Sequence, residues 1–228
     1  MYTLLLLLIY LAFISLGLPD SLLGSAWPVM HKAFQVPLSY AGLVTMIISG
    51  GTICSSLMSE RLTKKFGTQI VTVFSVMLTA IALFGFSTAS AFWMLCLWAI
   101  PYGLGAGAID AALNNYVALH YNSRHMSWLH CFWGLGTIIS PYVMSYALTT
   151  SVWQNGYRMV SFIQIGIALI LWGSSYLVGA KGISAERAAA FASLFCIGIT
   201  LGRFLAGFIT EKMGDHKMIR LGIAIILV

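Results

Sequence analysis

The chain has 228 residues, of which 60% are hydrophobic and only 8% charged. Soluble domains carry about 25% charged residues, so this composition excludes a water-coated globule of this size. The net charge of +6 does not point to nucleic acid, because Lys and Arg fall in short clusters between apolar blocks, as cytoplasmic loops do.

The apolar residues come in blocks of about twenty, the length needed to cross a bilayer. The sequence therefore predicts an all-α, polytopic transmembrane helix bundle. The first span is expected at about 3–29, interrupted by Gly17, Pro19 and Asp20. Leu4–Leu16 resembles a signal-peptide core, yet no basic residue precedes it and the apolar run continues to Trp27, so a retained span is expected. The second span, about 38–58, is rich in Gly, Ser and Thr and is followed by a basic loop with Glu60, Arg61, Lys64 and Lys65. Spans three and four, about 69–87 and 91–117, are joined by an uncharged turn at Ser87–Ser90. A basic link holding His120, Arg124 and His125 leads to span five, about 127–148. After a link with Trp153 and Arg158 comes a sixth apolar block, about 159–179. Another block, about 188–209, precedes a charged loop from Glu211 to Arg220. The loops after spans two and four hold more Lys and Arg than the opposite ones, which places them and the N-terminus in the cytoplasm.

The four cysteines, Cys54, Cys96, Cys131 and Cys196, sit singly in apolar blocks and read as small core residues. No nucleophile elbow, phosphate loop, dinucleotide fingerprint or metal-ligand spacing is present, so neither catalysis nor a cofactor or metal is expected.

Charges inside a membrane cost about 2.5–3.5 kcal/mol each, so each needs a reason. Asp20 lies in the outer half of the first span, sharing a face with Gly24 and with Trp27, which is expected to bind solute. A partly desolvated carboxylate there could take up a proton; the alternative is an acid that only caps a helix end. Asp110 lies well inside span four on a polar stripe with Ala106 and Asn114. The neighbouring stripe of Gly103, Gly107 and Ala111 lets another helix approach closely. Asp110 is a proton-coupling candidate or, alternatively, a structural tie between helices. Asn114 or Asn115 could bind a solute's hydroxyls; only one faces inward, and Asn114 is favoured. His130, Trp133 and Thr137 share a face of span five and suit a sugar ring, or else form an interfacial aromatic belt. Arg203 in the seventh block has no clear role.

A weak internal repeat links "SSLMSERLTKKFGT" at 55–68 with "AGFITEKMGDHK" at 206–217. Each ends a small-residue helix with an acid–base pair, then a Gly that permits a tight turn. These loops resemble the signature of the major facilitator superfamily, on Glu60, Arg61 and Gly67 in the first copy and Gly207, Glu211, Lys212, Gly214 and Lys217 in the second. "GLPDSLLGSAWP" at 17–28, "GLGAGAIDAALNNYVALHY" at 103–121 and "WLHCFWGLGTIISP" at 128–141 resemble the fucose-permease-like sugar/proton symporters of that superfamily.

The resemblance implies two six-helix halves and proton coupling through acids in spans one and four, which Asp20 and Asp110 match. Against that pattern the chain reads as internally deleted and truncated. Residues 1–158 would hold the first five helices, 159–180 a hybrid of the sixth and seventh, and 181–228 part of the second half. If the hybrid is one helix, every later segment is inverted. The expected function is proton-coupled transport of a small polar solute across the cell membrane, with the bilayer, solute and proton as partners and no nucleic acid. The rival is a non-transporting remnant or membrane interaction protein; homodimerisation would rebuild a second half.

Overall fold

A computed structural model describes residues 3–181 and, apart from them, Lys217. The seventh block with Arg203, Cys196, and all of the second loop copy but Lys217, lie outside the described residues. Seven helices account for nearly all of residues 3–181: α1 (Thr3–Asp20), α2 (Leu22–Ala33), α3 (Tyr40–Phe66), α4 (Thr68–Thr88), α5 (Phe92–His120), α6 (Ser123–Thr150) and α7 (Trp153–Lys181). Among the described residues there is no strand. With α1 and α2 taken together as Leu5–Ala33, six helices are long and apolar enough to cross a membrane. In lipid, every backbone polar group must be satisfied within its own segment, which is why a chain of this composition winds into helices throughout.

The helices are longer than the apolar blocks. Glu60, Arg61, Lys64 and Lys65 belong to the last turns of α3; the expected loop shrinks to Gly67, whose φ of 82° suits a residue without a Cβ. The acid–base pair is also different. Glu60 accepts from Lys64 at 2.6 Å, because residues four apart on a helix are neighbours and adjacent ones are not. Residues 120, 124 and 125 likewise fall at helix ends rather than in a loop. The first span breaks after Asp20, at Ser21, and resumes as α2. Block 159–179 is part of the single continuous helix α7.

Packing pairs helices distant in sequence. α5 lies against α3 on one side and α4 on the other; α4 also packs on α7, and α1 on α6. The predicted small-residue stripe of α5 makes the α3 contact. A Cβ on Gly103 would meet the carbonyl oxygen of Ile48, and one on Gly107 that of Thr52. Hydroxyls of α3 cross the same seam: Thr52 donates to the Gly103 carbonyl at 3.3 Å, Ser56 to that of Gly107 at 3.2 Å, and Ser59 to that of Ala108 at 3.3 Å. These bonds add specificity more than stability, at about 0.6 kcal/mol each in such settings.

Among the described residues two large apolar clusters fill the bundle, one around Phe13, Ile109 and Leu129, the other around Leu22, Leu83 and Leu95, with a small third of Val71, Ala108 and Ala112. Deep inside the bundle, and outside both clusters, sits a tie the sequence did not advertise. The buried Gln164 of α7 donates to the Ser15 carbonyl at 2.7 Å and accepts from Thr79 at 3.1 Å, joining α1, α4 and α7. The exterior is apolar: Leu57 is 77% exposed and Met46 72%, as lipid-facing surfaces require. Cys54 and Cys131 are on this exterior, not in the core as expected.

Gly103→Leu is expected to force α3 and α5 apart, at about 1–3 kcal/mol or more. Thermal unfolding in detergent should register a clear fall in Tm, whereas Gly134→Ala, which meets nothing within 4 Å, should leave it unchanged.

Candidate functional site

The site begins at the crossing of α1 and α6. A Cβ on Gly17 would meet the Trp133 carbonyl oxygen, and one on Gly136 the Ile14 carbonyl oxygen. Backbone therefore lies on backbone, a contact only small residues allow. Gly17 thus serves packing at this crossing. Asp20 sits about one turn beyond Gly17, and Trp133 about one turn before Gly136. The crossing brings them together: the Trp133 indole N–H donates to Asp20 Oδ2 at 2.8 Å. From α5, the buried Tyr102 hydroxyl donates to Oδ1 at 3.0 Å. Both oxygens of Asp20 are held by neutral donors from two other helices, and it forms no ion pair among the described residues.

Asp110 stands two turns beyond Tyr102 on α5, and Asn114 donates to its Oδ1 at 3.0 Å. Asp20, Tyr102, Asp110, His130 and Trp133, with Leu16, Ile48, Thr52 and Ala106, line a cleft of about 310 Å³ among α1, α3, α5 and α6. The two carboxylates and the His130 imidazole thus stand on the wall of one cleft. The His130 ring rests edge-on against Phe13 at 6.0 Å. The cleft presents two carboxylates, an imidazole, a phenol and an indole beside apolar walls, a set that can exchange a proton and hydrogen-bond a small polar solute.

Of the residues expected to bind solute, His130 and Trp133 line this cleft, and the others do not. Trp27 is buried, and its N–H is used by the Leu38 carbonyl at 2.7 Å, which pins α2 to the following link. Thr137 donates to the Gly134 carbonyl of its own helix at 2.8 Å and packs at the α1–α6 crossing, where a Cβ on Gly17 would reach its backbone. Asn115 is exposed and does not line the cleft. Asn114 holds Asp110 and is not part of the wall; its Oδ1 is buried with no partner among the described residues. Each correction has one cause: a shared helical face does not say which neighbour covers it. Tyr102 was missed, although the Ala106–Asp110–Asn114 stripe extended one turn back reaches it.

The model of the family described as Major Facilitator Superfamily matches residues 9–174. The chain belongs to the Major Facilitator Superfamily. It is a multi-pass helical membrane protein of a transporter family. It is similar to "Bypass of stop codon protein 6" of Saccharomyces cerevisiae, 24% identical over 156 residues, covering 67% of this chain and 31% of that protein. It is also similar to "Glucose/mannose transporter GlcP" of Bacillus subtilis, 22% identical over 167 residues, 72% of this chain and 41% of that one. The chain thus spans well under half the length of these curated relatives.

Tyr102→Phe removes a buried donor from Asp20 and is expected to cost about 1.5–3 kcal/mol. Combined with Asp20→Ala, the loss should fall short of the sum by at least about 0.5 kcal/mol. Thermal melts of the two single variants and the double variant in detergent check this, and strictly additive losses would break the assignment.

Proposed function

We propose that this chain is the cleft-bearing part of a proton-coupled secondary transporter for a small polar solute such as a sugar. The observation that carries the reading is the gathering of Asp20, Asp110, His130 and Trp133, from three helices, around one cleft. Ionisable groups inside a membrane bundle are costly and face wet paths when they persist. The printed name of the Bacillus subtilis relative supports the sugar class, as does an indole beside hydrogen-bonding groups. Asp20 and Asp110 take and release the proton, and alternating access carries solute past them near the midplane. The site of action is the cell membrane, with the basic α3–α4 turn and the N-terminus on the cytoplasmic side. Residues 1–158 act as the first five helices of an N-terminal half, 159–180 as a hybrid helix, and 181–228 as part of a second half.

A second reading, a membrane interaction protein that holds solute without moving it, is favoured by one observation: the cleft is lined wholly by α1, α3, α5 and α6, so binding needs no opposing bundle.

The test is uptake of labelled glucose into proteoliposomes holding the full chain, under an inside-alkaline pH gradient, with binding measured in parallel. Accumulation above empty liposomes that falls to background in Asp110→Asn is expected. Equal accumulation by that variant would remove Asp110 from proton coupling, and binding without uptake would establish the second reading.

A further inference from the structure

Away from the cleft, α3 and α4 diverge over one face of α5. They leave a groove of about 570 Å³ whose wall is almost wholly apolar. Met58, Leu62 and Phe66 of α3 form one bank, Ile70 and Phe74 of α4 the other, and Leu104 of α5 contributes to the wall. From Met58 to Phe66 the bank runs about 12 Å along the helix, roughly along the direction a lipid tail takes. The groove ends at the Gly67 turn, and there the chemistry changes sign. The Lys65 ammonium lies over the Phe66 ring at 5.2 Å from its centroid, directly on the groove's wall. Arg61 and Lys64 are exposed on the same end of α3. Lys64 is neutralised by Glu60 at 2.6 Å; Arg61 and Lys65 form no ion pair among the described residues.

We propose that this groove is a seat for one anionic phospholipid. An acyl chain lies between α3 and α4, and the headgroup phosphate is held by Lys65 and Arg61. An ordinary lipid-facing surface is convex and undemanding. This one is a concavity between α3 and α4, with two cations, Arg61 and Lys65, that form no ion pair among the described residues and stand on the turns of α3 nearest Gly67, and an anionic lipid has both matching parts. Zwitterionic lipids satisfy the apolar part alone, and a free phosphate the charged part alone. Each juxtamembrane cation favours an anionic headgroup, so a preference of about tenfold or more over a zwitterionic lipid is expected.

The full chain, purified in detergent, is titrated with phosphatidylglycerol, phosphatidylcholine or glycerol phosphate, and retained lipid is read by native mass spectrometry. About tenfold preferential retention of phosphatidylglycerol is expected, together with its loss in the Arg61→Gln/Lys65→Gln double variant. Leu62→Trp, which fills the groove, should reduce retention of both lipids. Equal retention of the two lipids by the unaltered chain would overturn the proposal, as would a preference that survives the double charge variant or competition by glycerol phosphate alone. Should Leu62→Trp fail to fold, a photo-reactive amino acid at position 58 decides. Adducts with lipid support the seat; adducts with a second copy or with residues 182–228 refute it.

Discussion

Where α1 crosses α6, Gly17 and Gly136 each leave room only for the other helix's carbonyl oxygen, and this contact between bare backbones positions the cleft and its acids. Side chains between two helices act as spacers of adjustable length, whereas two backbones in contact leave no slack. The crossing therefore sets the separation of Asp20 from Trp133, one turn away on either side. A similar contact, made by Gly103 and Gly107 against α3, sets where α5 carries Tyr102 and Asp110. Helices in lipid gain little by burying apolar surface, since lipid is equally apolar, so close fit supplies the cohesion.

A bundle held by fit needs something to select one arrangement among many similar ones. Polar groups provide it, because an amide or hydroxyl left alone in hydrocarbon is expensive. Gln164 has both ends of its amide engaged, by Ser15 and Thr79, and Ser161 donates to the Ala80 carbonyl at 2.8 Å. Rotating α7 by one residue would strand all of these. The ties sit away from the cleft and keep the outer helices in register behind it.

The helical class, the six spans among the described residues and the close approach on α5 were legible because they follow from composition and from spacing along one helix. The loop residues were misplaced because charge marks the membrane's edge and not the helix's end: Glu60 and Lys65 protrude from the apolar zone yet stay wound in α3. Trp27 and Thr137 lie off the cleft, and Tyr102 was missed, for a different reason. Periodicity gives a residue's direction about its own axis, but the identity of the helix it meets depends on packing between segments far apart in sequence. Asp20 and Asp110 stood out early because an acid in an apolar run is conspicuous wherever it points. Nothing in the pattern announced that a phenol and an indole would hold one of them.

That arrangement at Asp20 carries a consequence of its own. As an ionised group it offers four lone-pair sites and no hydrogen, and two are taken by O–H and N–H groups anchored on α5 and α6. Adding a hydrogen to either oxygen takes up a remaining lone pair and removes the negative charge, so the bonds from both rings weaken, each now running to a neutral group. The charge state of the one carboxyl at the α1–α2 break thus sets how firmly α5 and α6 are tethered to it, through short contacts and not through any long-range field.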